Sequence, residues 1–186
     1  MPVHGFIGGW GTGKTYAAVL EARRYAKKYH VPIVSNLELR YPEKDGITVI
    51  VRDSIEEIMD SHDCILLLDE IGVLMPSRFY GKLLAQTAFR WAQLRKYRVY
   101  EVLWTTQSLA RVDTLVRELT WDFTDMRSYR LMGFFGGMQF QGMSLTAKQK
   151  IGFRFFWVNK EVYAWYDTMA VIGNDHLLEA VSKSKS

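Results

Sequence analysis

The sequence predicts an α/β fold in which a mainly parallel β-sheet is flanked by helices. The first observation is that strand-like and helix-like segments alternate along most of the chain, which is typical of parallel sheets. The second is that the strand-like segments are short and largely apolar, as expected for strands covered on both faces. The third is a glycine-rich segment that follows the first strand and precedes a helix.

Each predicted element rests on a local pattern. The first helix is rich in alanine and straight-chain residues, which favour helix formation. The helix predicted at 80–96 has apolar residues close to helical spacing. Strands are predicted at 3–7, 33–36, 47–51, 64–69 and 99–106, and helices at 14–29, 53–60, 80–96 and 112–119.

The texture of the chain changes near Trp121, where the sequence becomes aromatic, β-prone and broken by glycines. We predict antiparallel strands at 121–168 that finish one edge of the sheet, and a hairpin within VNKEVYAWY, 158–166. Glycines at 133, 136, 137 and 142 indicate turns or close approaches of two backbones. The predicted organisation is a core at 1–120, a β-rich extension of the same domain at 121–170, and a short helix with a disordered tail at 171–186.

Composition bounds the possible functions. The chain has 186 residues, 48% hydrophobic and 24% charged, which argues against global disorder. Its net charge of +4 permits an anionic partner, although a solvated basic face is the commoner explanation. The single cysteine, Cys64, excludes an internal disulfide and is expected in the core, and the four scattered histidines lack metal-ligand spacing. We find neither a secretory signal nor a run of about 18 apolar residues, so the cytosol is the expected compartment.

The glycine-rich segment, GGWGTGKT, matches the phosphate-binding pattern G-x-x-x-x-G-K-[ST] in full. Glycines let the backbone curl tightly, so that its N–H groups point inward around a phosphate. The pattern assigns Lys14 to the β- and γ-phosphates of ATP and the Thr15 hydroxyl to Mg²⁺. The candidate nucleotide-binding residues are Gly8, Gly9, Trp10, Gly11, Thr12, Gly13, Lys14, Thr15 and Tyr16.

A second chemical position follows the buried strand in CILLLDE, 64–70. Asp69 at the strand end is a candidate Mg²⁺ ligand, usually through water, and Glu70 is a candidate general base for an attacking water. The alternative is a strand that simply ends in two solvated acids. The pair favours an ATP hydrolase over a small-molecule kinase, because phosphoryl transfer to an acceptor needs no water-activating glutamate.

A third position follows the strand in VYEVLWTTQ, 99–107, which ends in three polar residues. Ligands of open α/β sheets bind at the carboxyl ends of the strands, where Thr105, Thr106 and Gln107 would emerge. Gln107 is a candidate catalytic sensor that contacts the γ-phosphate or the water. An ordinary strand exit is the alternative.

The late segments mix aromatic and basic residues. Such a mixture can stack single-stranded bases, although core and interface packing is the commoner use of aromatic side chains. The residues concerned are Arg127, Tyr129, Arg130, Phe134, Phe135, Arg154, Phe155, Phe156 and Trp157.

Taken in order, these motifs resemble the Zot-like P-loop ATPases, which include the filamentous-phage assembly protein. The matching stretches are GGWGTGKTYAAV, VSNLEL (34–39), ILLLDE, PSR (76–78), LRKYRVYEVLWTTQ (94–107), VDTLVREL (112–119) and YAWYDT (163–168). The resemblance implies a RecA-like NTPase of the ASCE class, related to the FtsK–HerA DNA motors. It also implies ATP and Mg²⁺ as cofactors, and a role in viral DNA translocation, genome packaging, or virion assembly and extrusion.

The resemblance further implies a ring of identical subunits, viral DNA as partner, and assembly proteins of the virion or membrane. The expected location is the host cytoplasm, at the inner membrane face or at a virion vertex. A neighbouring subunit would supply an arginine, for which Arg95 and Arg78 are candidates and Arg117 a weaker one. Any of them can equally be a surface arginine.

Two departures from the family pattern stand out. Members usually carry a transmembrane segment beyond this domain, and none is found in this chain. They often have histidine-arginine-histidine where this chain reads LRKYR. Two alternatives stay open: a small-molecule or nucleoside kinase, and an inactive P-loop binding module. Retention of Lys14, Thr15, Asp69, Glu70 and Gln107 together argues against an inactive module.

Overall fold

A computed structural model describes residues 2–75, 93, 98–141 and 149–167. The strands of these residues are β1 (Val3–Ile7), β2 (Ile33–Ser35), β3 (Val49–Val51), β4 (Ile65–Leu68), β5 (Glu101–Thr106), β6 (Asp122–Tyr129), β7 (Phe134–Gln141) and β8 (Gln149–Trp157). The α-helices are α1 (Lys14–Tyr29), α2 (Ile55–Met59), α3 (Ile71–Leu74) and α4 (Thr114–Leu119). Short 3₁₀ helices lie at Glu43–Asp45, Leu109–Arg111, Arg130–Met132 and Lys160–Trp165.

All eight strands form one sheet in the order β3-β2-β4-β5-β1-β6-β7-β8. The six strands from β3 to β6 in that order are parallel, whereas β7 and β8 are antiparallel to their neighbours. The predicted mainly parallel α/β fold with antiparallel additions is therefore confirmed. The first strand lies deep in the sheet, between β5 and β6, so the glycine-rich segment emerges at its middle.

Helices cover both faces of the sheet, and the sheet separates the hydrophobic core into two halves. One half packs α1 and the 3₁₀ helix Lys160–Trp165 against residues such as Phe6 and Phe156. The other half packs α2, α3 and α4 against residues such as Trp104. Cys64 is buried in this second half, as predicted, and burial raises the pKa of its thiol to about 12.

Two predictions about the late segments are wrong. The stretch 121–168 is not wholly antiparallel, because β6 pairs in parallel with β1. The segment between β5 and β6, which contains α4, returns the chain to the amino end of the sheet before β6 begins, so that strand runs in the direction of β1.

The second wrong prediction is the hairpin at 158–166, which is the 3₁₀ helix Lys160–Trp165. Asn159 caps it by accepting a hydrogen bond from the N–H of Glu161, and Val162 and Trp165 turn together into the core. Their spacing of three residues matches the period of a 3₁₀ helix. Strand β1 and helix α1 have the predicted bounds, whereas β2, β3, α2, β4, β5 and α4 are one or two residues shorter at their ends than predicted. Helix α3 and the other three 3₁₀ helices were not predicted, and the helix predicted at 80–96 lies outside the described residues except for Gln93.

A buried charge cluster lies at the amino ends of the central strands. The Nδ1 atom of His4 lies 2.8 Å from Asp122 Oδ2, and its Nε2 atom lies 3.3 Å from Glu101 Oε2. Burial by itself lowers the pKa of His4, but hydrogen bonds and charge from Asp122 and Glu101 outweigh it and raise the pKa to about 9. His4 is therefore a charged residue held between two carboxylates, which agrees with the structural role expected for it.

Candidate nucleotide site

The segment between β1 and α1 forms a loop that only glycine can build at two positions. Gly8 has φ 150° and Gly13 has φ 85°, both in the region that side chains disfavour. A Cβ atom on Gly8 would lie 2.6 Å from the carbonyl oxygen of Met126, and one on Gly13 would overlap the Phe135 ring. The loop therefore packs tightly against strands β6 and β7 just before helix α1 begins, and these contacts fix its shape.

Lys14 lies inside this loop rather than in solvent. Its ammonium donates to the carbonyl oxygen of Gly9 at 2.9 Å, and the Thr12 hydroxyl donates to the same carbonyl at 2.9 Å. The Lys14 residue is 7% exposed. Burial lowers its pKa, and the nearby charges of Glu70 and Asp69 oppose that effect. A buried ammonium at a helix N-terminus suits a phosphate chain, which carries the opposite charge.

Thr15 and Asp69 come from different elements and meet in the site. The Thr15 hydroxyl at the start of α1 donates to Asp69 Oδ1 at 2.8 Å. Burial raises the pKa of Asp69, and hydrogen bonds from Thr105 and Thr15 partly offset this shift. One hydroxyl and one carboxylate fit Mg²⁺, which keeps several waters and shares its site with substrate phosphates. The described residues contain no cluster of three His, Cys, Asp or Glu that could hold a metal ion without such phosphates.

Glu70 extends into the site from an uncommon backbone conformation. Its φ of 48° and ψ of 54° are left-handed, although it is not a glycine. Its Oε1 atom lies 3.9 Å from the Lys14 ammonium and 3.5 Å from Gln107 Nε2, at the long end of a hydrogen bond. The structure therefore brings Lys14, Glu70 and Gln107 together as the sequence predicted. Backbone strain of this kind concentrates at functional sites.

Two residues without an assigned role hold this arrangement. Asn36, just after β2, donates to the Asp69 carbonyl at 2.9 Å and accepts from the Asp69 N–H at 2.8 Å. Thr105 at the end of β5 donates to Asp69 Oδ1 at 2.7 Å and accepts from the Glu70 N–H at 2.9 Å. A polar residue directly after β2 and another at the end of β5 were the available signal. The sequence did not reveal which atoms they would contact.

The other candidate residues are distributed differently. Trp10 at the tip of the loop is 85% exposed. Tyr16 is buried, and its hydroxyl donates to the Trp157 carbonyl and accepts from the Asn159 N–H, so only its backbone faces the loop. Arg117 donates to Thr114 within α4. Arg78 and Arg95 lie outside the described residues.

Comparisons with known proteins agree with this geometry. The family model described as Zonular occludens toxin (Zot) matches residues 3–171. The N-terminal domain of zonular occludens toxin from Neisseria meningitidis is similar in structure, with a TM-score of 0.61 and 17% identity over 89% of this chain and 98% of that chain. No curated protein sequence gives a significant match.

Two other solved structures share the fold at lower identity. The genome packaging NTPase B204 from Sulfolobus turreted icosahedral virus 2, in complex with AMPPCP, has a TM-score of 0.54 and 10% identity over 81% of this chain and 98% of that chain. The flagellar accessory protein FlaH from Methanocaldococcus jannaschii has a TM-score of 0.53 and 14% identity over 85% of this chain and 85% of that chain. These likenesses show that the chain shares the RecA-like α/β fold of these proteins. In the part of the chain that the structure describes, no helix is both long and apolar enough to cross a membrane.

Proposed function

Because the chain belongs to the zonular occludens toxin (Zot) family, we propose that it is a Mg²⁺-dependent ATPase that drives viral DNA during genome packaging, virion assembly or extrusion. The observation that carries this proposal is the meeting of Lys14, Thr15, Asp69 and Glu70 at one edge of the sheet. Each of these side chains has a separate task in hydrolysing a bound triphosphate.

The loop and Lys14 bind the phosphates of ATP. Backbone N–H groups around Gly13 and the first turn of α1 point at the anion, and Lys14 neutralises the β- and γ-phosphates. Thr15 and Asp69 would hold Mg²⁺, which supplies charge neutralisation to the phosphate oxygens when bound. Their mutual hydrogen bond of 2.8 Å already aligns the two ligand oxygens.

Glu70 accepts a proton from the water that attacks the γ-phosphate. Its carboxylate is 26% exposed, which leaves it accessible to a water at the rim of the loop. Gln107, which reaches Glu70 from the next strand, orients that water or contacts the γ-phosphate. Because Gln107 follows β5, a shift of its side chain transmits the state of the nucleotide into the sheet.

The coupling to DNA rests on different support. B204 is described as a genome packaging NTPase, and it shares this fold. The net charge of +4 permits an anionic polymer as partner. We place the protein in the host cytoplasm as a ring of identical subunits, at the inner membrane face or a virion vertex. A neighbouring subunit completes each site with an arginine, for which Arg95 and Arg78 are the candidates.

The test is ATP hydrolysis by the purified protein, measured with and without single-stranded and double-stranded DNA. Glu70→Gln should lower turnover by about 100-fold or more while ATP still binds, because it removes the proton acceptor. Glu57→Gln makes the same chemical change on the exposed side of α2 and serves as the control. Stimulation by DNA supports the motor. A rate of hydrolysis that changes neither with DNA nor with the Glu70→Gln substitution contradicts the proposed function.

A further inference from the structure

A cluster of aromatic side chains occupies one face of the sheet at its β8 edge. Strand β8 alternates, so that Phe156 is buried while Phe153, Phe155 and Trp157 are 44%, 58% and 66% exposed. Their neighbours on the same face are Tyr129 of β6 and Phe134 of β7, because the strands pair Tyr129 with Phe134 and Phe134 with Trp157. We call these five residues the aromatic face.

The five rings contact one another, and the three on β8 are exposed while Tyr129 and Phe134 are half-buried. Tyr129 stacks on Phe134 with ring centroids 5.0 Å apart. Phe155 and Trp157 meet edge to face at 6.0 Å, and both also contact Phe134. An exposed aromatic cluster of this kind marks a binding surface on a soluble protein.

Basic side chains are interleaved with the rings. Arg127 pairs with Gly136, which pairs with Phe155, and the Phe153 ring covers Gly136, because a Cβ atom there would lie 2.8 Å from that ring. Arg127 is exposed, as is Lys150 further along β8. The next row along the sheet contains Asp125, which is half-buried beside Met138. Exposed cations among exposed rings suit a polymer that has flat apolar faces and a negative backbone.

We propose that the aromatic face binds a single-stranded polynucleotide. Alternate residues of a strand lie about 6.6 Å apart, so Phe153, Phe155 and Trp157 offer evenly spaced rings to successive unstacked bases. A duplex hides the faces of its bases, whereas a single strand presents them for stacking. The inference rests on the proposed function in that it names the surface and the form of the nucleic acid.

The position of this surface connects it to the nucleotide site. The last residue of β1, Ile7, pairs with Asp125, so β6 continues four residues beyond it to Tyr129. That extension lies at the carboxyl edge, where the carbonyl oxygen of Met126 approaches Gly8. On β7, Phe134 faces the proposed polymer while the adjacent Phe135 packs against Tyr16 and Gly13. One strand thus contacts both the polymer and the phosphate loop.

The experiment measures binding of a dye-labelled oligothymidylate of about 20 nucleotides by fluorescence anisotropy, without ATP. The matching duplex is measured beside it. We expect Phe155→Ala and Trp157→Ala each to weaken binding of the single strand about tenfold, since each removes one stacking platform. Arg127→Gln should weaken binding of the single strand. It should also reduce by about 1 the slope of the logarithm of the binding constant against the logarithm of the salt concentration. Trp121→Ala is the matched control, because Trp121 is 59% exposed outside the aromatic face.

A second measurement separates nucleic acid from a protein partner. If the aromatic face instead joins copies of this chain, Phe155→Ala should lower the mass seen by light scattering and leave oligothymidylate binding unchanged, which overturns the proposal. Leu131→Ser, which changes a fully exposed residue at the β6–β7 turn, should alter neither binding nor mass if the proposal is correct. Equal binding by wild type and Phe155→Ala, or no binding by wild type, also overturns it.

ATP hydrolysis on the same samples keeps the two proposals separable. Hydrolysis that depends on Glu70, with no binding of the single strand, overturns the aromatic face alone. Binding that depends on Phe155, with no hydrolysis, supports the aromatic face and contradicts the ATPase. Thermal unfolding of each variant, compared with wild type, verifies that the sheet is intact.

Discussion

Asn36 acts on the candidate site through the backbone rather than through a ligand. Its amide replaces the strand pairing that β2 and β4 lose after Ser35 and Leu67, by donating to and accepting from the same residue, Asp69. The next residue, Glu70, has a left-handed conformation that costs about 1–2 kcal/mol relative to the right-handed one. Contacts on both sides of its peptide unit are what maintain that conformation.

We expect Asn36→Ala to reduce the turnover number for ATP about tenfold and to leave nucleotide affinity nearly unchanged. The substitution removes two hydrogen bonds that orient Asp69 and Glu70, each worth about 1 kcal/mol, and leaves the phosphate loop intact. Steady-state kinetics and a nucleotide-binding titration separate the two effects. Asn159→Ala is the control, because it also loses a hydrogen bond between a side-chain amide and the backbone, the one that the Glu161 N–H donates to Asn159 in the cap of the last 3₁₀ helix. A fall in affinity alone would contradict a positioning role.

Two glycines of the glycine-rich loop should differ in their response to the same substitution. Gly13→Ala places a Cβ atom in the Phe135 ring at φ 85°, so we expect loss of nucleotide binding and about 1–2 kcal/mol or more of stability. Gly9→Ala meets no atom within 4 Å and should leave the stability of the fold unchanged. Urea unfolding and nucleotide titration of both variants provide the comparison. Equal stability of the two variants would show that the loop has room to move.

At the scale of the element, strand β8 divides its side chains between two environments. Phe156 faces the core, where its ring lies 6.2 Å from that of Phe6. The residues on either side of it, Phe155 and Trp157, face outward. The mixture of aromatic and basic residues therefore packs into the core on one face of the sheet and forms an exposed cluster on the other.

This alternation predicts unequal costs for identical substitutions. Phe156→Ala should lower the free energy of unfolding by about 3 kcal/mol, because it removes a buried ring and leaves a cavity. Phe155→Ala should change it by less than about 1 kcal/mol, since that ring is 58% exposed. Urea denaturation of both variants measures the difference. Similar losses would mean that the exposed cluster itself stabilises the sheet.

At the scale of the whole molecule, the candidate site lies at the carboxyl ends of the parallel strands and a buried charge cluster lies at their amino ends. The carboxyl ends of β1, β2, β4 and β5 contribute the phosphate loop, Asn36, Asp69 and Gln107. The amino ends bury His4 between Glu101 and Asp122, with the Tyr25 hydroxyl 3.5 Å from its ring. The buried charge cluster and the candidate nucleotide site thus lie at opposite ends of the same strands.

The charge cluster makes stability depend on pH. The pKa of His4 is raised from 6.5 to about 9 in the folded protein, so its contribution is complete below pH 6.5 and is lost as the pH rises through about 9. Burial raises the pKa of Tyr25, so this neighbour stays neutral over that range. We expect wild type to lose about 1–3 kcal/mol between these limits.

Urea unfolding measured at a series of pH values tests this expectation. His4→Gln should flatten the pH dependence, whereas His62→Gln, which changes an exposed histidine, should preserve it. The slope is the relevant measurement, because His4→Gln also lowers stability below about pH 9 by leaving two buried carboxylates without a cation. An unchanged slope in His4→Gln would assign the pH dependence to other groups.

The sequence by itself determined the features whose chemistry is local. The glycine-rich loop is a run of eight residues whose spacing is typical of phosphate binding, and Asp69 and Glu70 follow an apolar run that fits a buried strand. The same motifs, read in order, indicated the family that the comparison confirms. A short sequence pattern is enough to predict a feature when a few neighbouring residues together perform one chemical task.

Tertiary structure decided what depends on residues far apart in the chain. Asn36 and Asp69 are separated by 33 positions, and Thr105 and Glu70 by 35, so only the order of strands brings them together. The direction of β6 depended on the route of the chain before it, and the segment after β8 became a 3₁₀ helix because Val162 and Trp165 pack into the core. Burial is set by the whole fold, so no local pattern could assign the two faces of β8.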